Sequence, residues 1–142
     1  MFRGTRLSPT IAVASESMAA IRRLALGLGL AYLAVTLAGI APLIGGTLGT
    51  QPSWVLGVAP VNLSSNVLHA AVALYGVLAS GRKGASRAYA RVMGLFLVGI
   101  GVLGLVQDYP FGLIPLGGAN FVVHLLSGGI ALYYGFAPDD DF

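Results

Sequence analysis

His69 and His124 are the two histidines of the chain, and each lies within an apolar run. An ionisable ring inside such a run marks a candidate functional site if the run lies in a membrane. A neutral imidazole donates one hydrogen bond and accepts another. Asn66 stands one turn before His69 and Asn62 one turn before that, while Asn120 stands one turn before His124. On a first reading the three asparagines form a structural polar cluster. Their amides, with loop carbonyls near Pro60 and Pro115, satisfy both rings and no cofactor is present. On a second reading His69 and His124 are ligands, with two neutral imidazoles on facing helices holding a haem iron axially or one holding a chlorophyll magnesium. A zinc-type centre lacks ligands, because the chain has no Cys and no carboxylate well placed beside the pair, so no metal site is assigned. No catalytic residue is assigned either. The spans hold no carboxylate pair, no Ser–His–Asp set shares a depth, and the glycines do not follow a strand as a dinucleotide fingerprint requires.

The elements carrying these residues are apolar to an unusual degree. Hydrophobic residues make up 56% of the 142-residue chain and charged residues 9%. A soluble surface needs roughly 25% charged residues, so a soluble enzyme and a nucleic-acid module are excluded. A bilayer core about 30 Å thick needs roughly 20 apolar residues per helix. Four spans are expected, from about Leu24 to Ile44, Leu63 to Ser80, Val92 to Gln107 and Asn120 to Ala137. The first is read as retained, since it is too long for a signal peptide and no small-residue cleavage site follows. Residues 1–20 then form a leader, with a short interfacial helix over Ser15–Arg23. Residues 21–137 form the four-helix transmembrane domain and residues 138–142 an acidic tail.

Charge orients these elements. Arg3, Arg6, Arg22 and Arg23 precede the first span, and Arg82, Lys83, Arg87 and Arg91 fill the middle loop, Gly81 to Arg91. The two other loops contain no Lys or Arg. Both termini and the middle loop are therefore expected in the cytoplasm. The four middle-loop cations are candidate contacts for anionic lipid or a partner.

A shift of 55 residues aligns two halves of the chain. Gly57-Val58-Ala59-Pro60 falls on Gly112-Leu113-Ile114-Pro115, and eight residues separate each of these prolines from a His. The agreement continues down one helical face, where His69, Ala73, Gly76 and Ser80 match His124, Gly128, Ala131 and Gly135. The expected fold is an all-α membrane protein of four transmembrane helices, arranged as two parallel-repeat helical hairpins in one bundle. Stripes of small residues allow close helix approach in membranes, so these faces are assigned to packing near the bundle axis. That places the two imidazoles side by side at equal depth.

At the two His blocks the sequence resembles a domain-of-unknown-function family of small four-helix bacterial membrane proteins. Its first pattern, N-x-x-H-N-x-x-H-x-x-x-G-x-x-G, corresponds here to Asn62, Ser65, Asn66, His69, Ala73 and Gly76, with Ser65 in place of a His. Its second, G-x-x-P-x-N-x-x-D-N-x-x-H-x-x-x-G, is met by Gly112, Pro115, His124 and Gly128. Gly117, Asn120 and Phe121 depart from it. The resemblance implies the fold and a bacterial inner membrane (or photosynthetic membrane) location, and supplies no activity. The departures count against a metal or proton-relay role and leave His69 and His124 intact. The expected function is non-catalytic: an accessory subunit of a respiratory or photosynthetic membrane complex. Its partners are the lipid bilayer and other membrane-protein subunits, with no nucleic acid. The alternative is a haem- or chlorophyll-binding protein.

Overall fold

The computed structural model describes residues 9–138, with side chains described from residue 20 onward. The leader residues Arg3 and Arg6 and the acidic residues Asp139 to Asp141 lie outside the described residues. Four helices dominate: α1 (Pro9–Gly39), α2 (Leu63–Ala79), α3 (Lys83–Val106) and α4 (Asn120–Phe136). Two apolar stretches, Ala20–Gly39 within α1 and the whole of α3, are long enough to cross a membrane, while α2 and α4 are shorter apolar helices of 17 residues.

The structure differs from the sequence expectation in several places, among them the end of α1, at Gly39 rather than Ile44. Helix α1 runs unbroken from Pro9, so the upstream segment is no separate interfacial helix but continues into the apolar stretch. No Pro interrupts it before Pro42, which follows its end and starts a single 3₁₀ turn. Helix α3 begins at Lys83, well before Val92, and takes in most of the supposed middle loop. Three cations made residues 83–91 read as a loop, but their presence does not prevent a helix. Tyr89 and Ala90 are fully buried there, so that turn already packs against the core. A further difference is a β-hairpin in the first long loop, which departs from an all-α fold. Strands β1 (Ser53–Val55) and β2 (Ala59–Val61) pair antiparallel, with Trp54 opposite Pro60. Leu56 and Gly57 turn the chain at positive φ.

Local chemistry fixes the helix starts that bear on the site. Asn62 caps α2: its side-chain oxygen accepts from Ser65 N at 2.9 Å, and Ser65 Oγ accepts from Asn62 N at 2.9 Å. This reciprocal box satisfies two backbone donors that a helix start leaves without partners. Ser86 Oγ donates to Ala79 O at 2.9 Å, which holds the short α2–α3 turn closed.

The helices pack most extensively as α1 on α2 and α3 on α4, with α1 also lying across α3. A Cβ on Gly76 would lie 2.8 Å from Ala25 O and 2.9 Å from Gly29 Cα, so α1 and α2 meet at their backbones. A Cβ on Gly128 would lie 2.7 Å from Val98 N and 3.0 Å from Gly94 O. The stripe positions Ala73, Gly76, Gly128, Ala131 and Gly135 are buried, and Ser80 is half-buried. The glycine contacts turn these faces toward the neighbour within the same hairpin, rather than toward a central axis as the sequence suggested. The reason is steric: backbone approach closest enough to need glycine occurs between sequential antiparallel helices. The centre holds larger groups, among them Tyr32, Val72, Tyr89 and Leu97.

Candidate functional site

His69 and His124 project from the second turns of α2 and α4 into the space between the hairpins, where their ring centroids lie 6.0 Å apart with planes at 50°. Both side chains are buried, at 6% and 4% exposure. Tyr32 of α1 completes the cluster, its ring 5.7 Å from that of His69 and tilted by 51°. The Tyr32 hydroxyl shares a 2.9 Å hydrogen bond with Ser127 Oγ, one turn beyond His124. Ser127 Oγ itself donates to Val123 O at 2.7 Å, which leaves the tyrosine as donor between them.

The asparagines have another task than the one expected of them. Asn62 Nδ2 donates to Thr50 O at 3.0 Å and to Leu113 O at 2.8 Å. Asn66 Nδ2 donates to Gly39 O at 2.9 Å and Thr47 O at 2.8 Å. Asn120 Nδ2 donates to Pro60 O at 2.6 Å and Pro115 O at 3.0 Å. Every one of these acceptors is a backbone carbonyl of a helix end, a loop or, at Pro60, the short strand β2. A primary amide suits this work because it offers two N–H donors to irregular backbone that no ladder satisfies. The exchange is reciprocal: Asn62 of the first hairpin reaches the second loop, and Asn120 of the second reaches the first. Asn120 also ties together the two prolines that the 55-residue shift superposes. The asparagines thus lock the loop end of the bundle, and they do not pair the imidazoles.

The Nδ1 atoms of His69 and His124 are buried without a hydrogen-bond partner. A cavity of about 10 Å³ adjoins the two rings, lined by Ser65, Val72, Leu97 and Pro115 among others. This is near the smallest space that holds one water molecule, about 10–15 Å³. The ring spacing alone would suit two axial ligands of one iron, but a porphyrin or chlorin needs a slot many times larger. As the bundle is packed, the flat macrocycle of the sequence alternative has no room between the imidazoles.

At the opposite end the arginines close the hairpins. Arg22 Nε donates to Ser80 O at 2.8 Å, and Arg91 Nε donates to Gly135 O at 2.7 Å. The acceptors are 55 residues apart, on matching helix C-termini. A cation there satisfies carbonyls left open by the helix end and opposes its negative dipole. Arg91 also lies over the Phe136 ring, 5.0 Å from its centroid. Arg91, grouped by sequence with Arg82, Lys83 and Arg87 as a lipid or partner contact, therefore has an internal role as well. Sequence reasoning missed Tyr32 and Ser127 as neighbours of the pair. The available signal was Ser127 at i+3 from His124, on the same helical face.

A family model described as a domain of unknown function (DUF4383) matches residues 22–137, most of the chain. Among curated proteins and among solved structures no match is found.

Proposed function

The chain belongs to the DUF4383 family, and from that premise we propose that it is a non-catalytic, multi-pass membrane protein serving as an accessory subunit of a larger membrane complex. The observation that carries this reading is a bare face on α1. Gly27, Ala31 and Ala34 recur at helical spacing and are exposed, and a Cβ on Gly27 would meet nothing within 4 Å. Lipid is met well by large side chains, as α1 does elsewhere with Leu30, Leu33 and Leu37. A groove of small residues turned outward instead admits the backbone of another helix, which is how membrane helices associate closely.

The membrane setting rests on the surface as a whole. Large apolar side chains are exposed on all four helices, including Leu30, Leu74, Leu78, Leu95, Leu105 and Leu126. Water would not tolerate so extensive an apolar exterior on a single small chain, whereas a bilayer requires one. Helix α3, with 24 residues at about 1.5 Å each, spans roughly 36 Å, enough for a core of about 30 Å. The two hairpins run in parallel as repeats, both opening at the basic end. The bonds of Arg22 to Ser80 and Arg91 to Gly135 gather that end on one side, which the positive-inside rule makes cytoplasmic. The resemblance noted above supports a bacterial inner (or photosynthetic) membrane.

The test is co-purification. Isolated from its native membrane in mild detergent, the chain should run in a complex larger than its own 14.5 kDa plus micelle, with partners identifiable by mass spectrometry. Ala31→Leu should release it without altering its unfolding. A wild-type chain that runs alone, or a complex indifferent to Ala31→Leu, contradicts the reading.

A further inference from the structure

We propose that His69 and His124 together bind one soft monovalent metal ion of the Cu(I) class, held in two-coordinate fashion between the imidazoles. Four observations converge on this occupant. The two rings belong to different hairpins and are brought to 6.0 Å, although no hydrogen bond joins them. Both side chains are more than nine-tenths buried, yet the Nδ1 atom of each is without a partner. A buried polar atom left unpaired is costly, and each ring of this pair carries one. The adjoining cavity, about 10 Å³, admits an atom-sized guest and nothing larger.

Ligand number then selects the ion. Among the described residues no group of three or more His, Cys, Asp or Glu could hold a metal, so zinc and the harder divalent ions lack the ligands they need. The asparagine Nδ2 atoms donate to backbone carbonyls, and Asn66 Oδ1, buried without a hydrogen-bond partner, lies against Gly39 of α1. What remains is a donor pair of two neutral imidazoles with no carboxylate. That set suits a filled-shell ion of single charge, which accepts few ligands and carries the smallest desolvation cost into an apolar interior. The spacing agrees. Two metal–nitrogen bonds of about 2 Å, with roughly 1 Å from each nitrogen to its ring centre, span about 6 Å when both nitrogens point along the line between the rings. Coordination through Nδ1 partners both orphaned atoms at once. Tyr32, tilted against His69 and anchored on Ser127, fixes the ring that the first hairpin contributes.

The experiment uses the purified full chain in detergent, titrated anaerobically with Cu(I) against a chromogenic chelator. One ion per chain is expected, and X-ray absorption should report two nitrogen neighbours at about 2 Å. His124→Leu and His124→Met form a pair of similar size, so a folding defect would affect both. The thioether also suits Cu(I), so His124→Met should keep the ion while His124→Leu weakens it at least 100-fold. Three results would overturn the proposal: no Cu(I) uptake by the wild-type chain, which leaves a water molecule as the guest; uptake unchanged in the double variant His69→Leu/His124→Leu; or Zn(II) bound as tightly as Cu(I).

Discussion

Gly128→Leu tests the packing of the second hairpin, and Gly129→Leu beside it supplies the control. At Gly128 an added Cβ would lie 2.7 Å from Val98 N and 3.0 Å from Gly94 O, where ordinary contact begins at 3.4 Å. Both neighbours are backbone atoms of α3, so no change of rotamer relieves the overlap. Helices α3 and α4 must part by roughly 0.7 Å for the Cβ alone, and further for the rest of the side chain. Separation also strips contacts at Gly94 and Gly101, which sit against Leu132 and Leu125. Overpacking of this kind costs about 1–3 kcal/mol. At Gly129 nothing lies within 4 Å, so the same substitution only removes a helix-weakening glycine, for a gain of up to about 1 kcal/mol. The propensity gain is common to both substitutions, so the two variants should differ by about 1–3 kcal/mol in equilibrium unfolding in mixed detergent micelles. Equal unfolding of the two would refute the assignment of faces on α4.

Asn120→Ala removes the donor shared by Pro60 O and Pro115 O, at a cost of about 1–3 kcal/mol for buried acceptors left unpaired. Hydrogen exchange in residues 49–62 and 108–119 should accelerate together, and exchange confined to one loop would contradict the reciprocal lock. For topology, a reporter fused after Phe142 should read as cytoplasmic, and a cysteine at the exposed position Leu113 should label from the opposite side. A periplasmic signal from the C-terminal fusion would invert the orientation argument.

How far the sequence could be read depended on the kind of signal each element carried. Helix existence was legible because apolar runs of bilayer length leave few alternatives. Helix limits were not, because charge marks the edge of a membrane span and not the end of a helix: residues 83–91 carry Lys83, Arg87 and Arg91, yet they are helical and bury Tyr89 and Ala90. The neighbourhood of His69 and His124 followed from their matching places after Pro60 and Pro115. The direction of the small-residue stripes did not follow, since a period of 3.6 defines a face and not what the face meets. For Asn62, Asn66 and Asn120, proximity in sequence to His suggested partners other than the backbone carbonyls they meet. Loop carbonyls are invisible in a sequence, and a loop folded against the helices presents many of them. The β-hairpin was missed because its strands are three residues each, although Trp54-Val55 and Ala59-Pro60-Val61 flank the turn glycine Gly57.

The accessory-subunit reading is tested most directly by photo-crosslinking in the native membrane, with the reactive side chain placed at Ala31. The exposed position Leu126 on α4 serves as the lipid-facing reference. The account predicts a discrete protein adduct from Ala31 and lipid labelling alone from Leu126. Lipid labelling alone from both positions would contradict it.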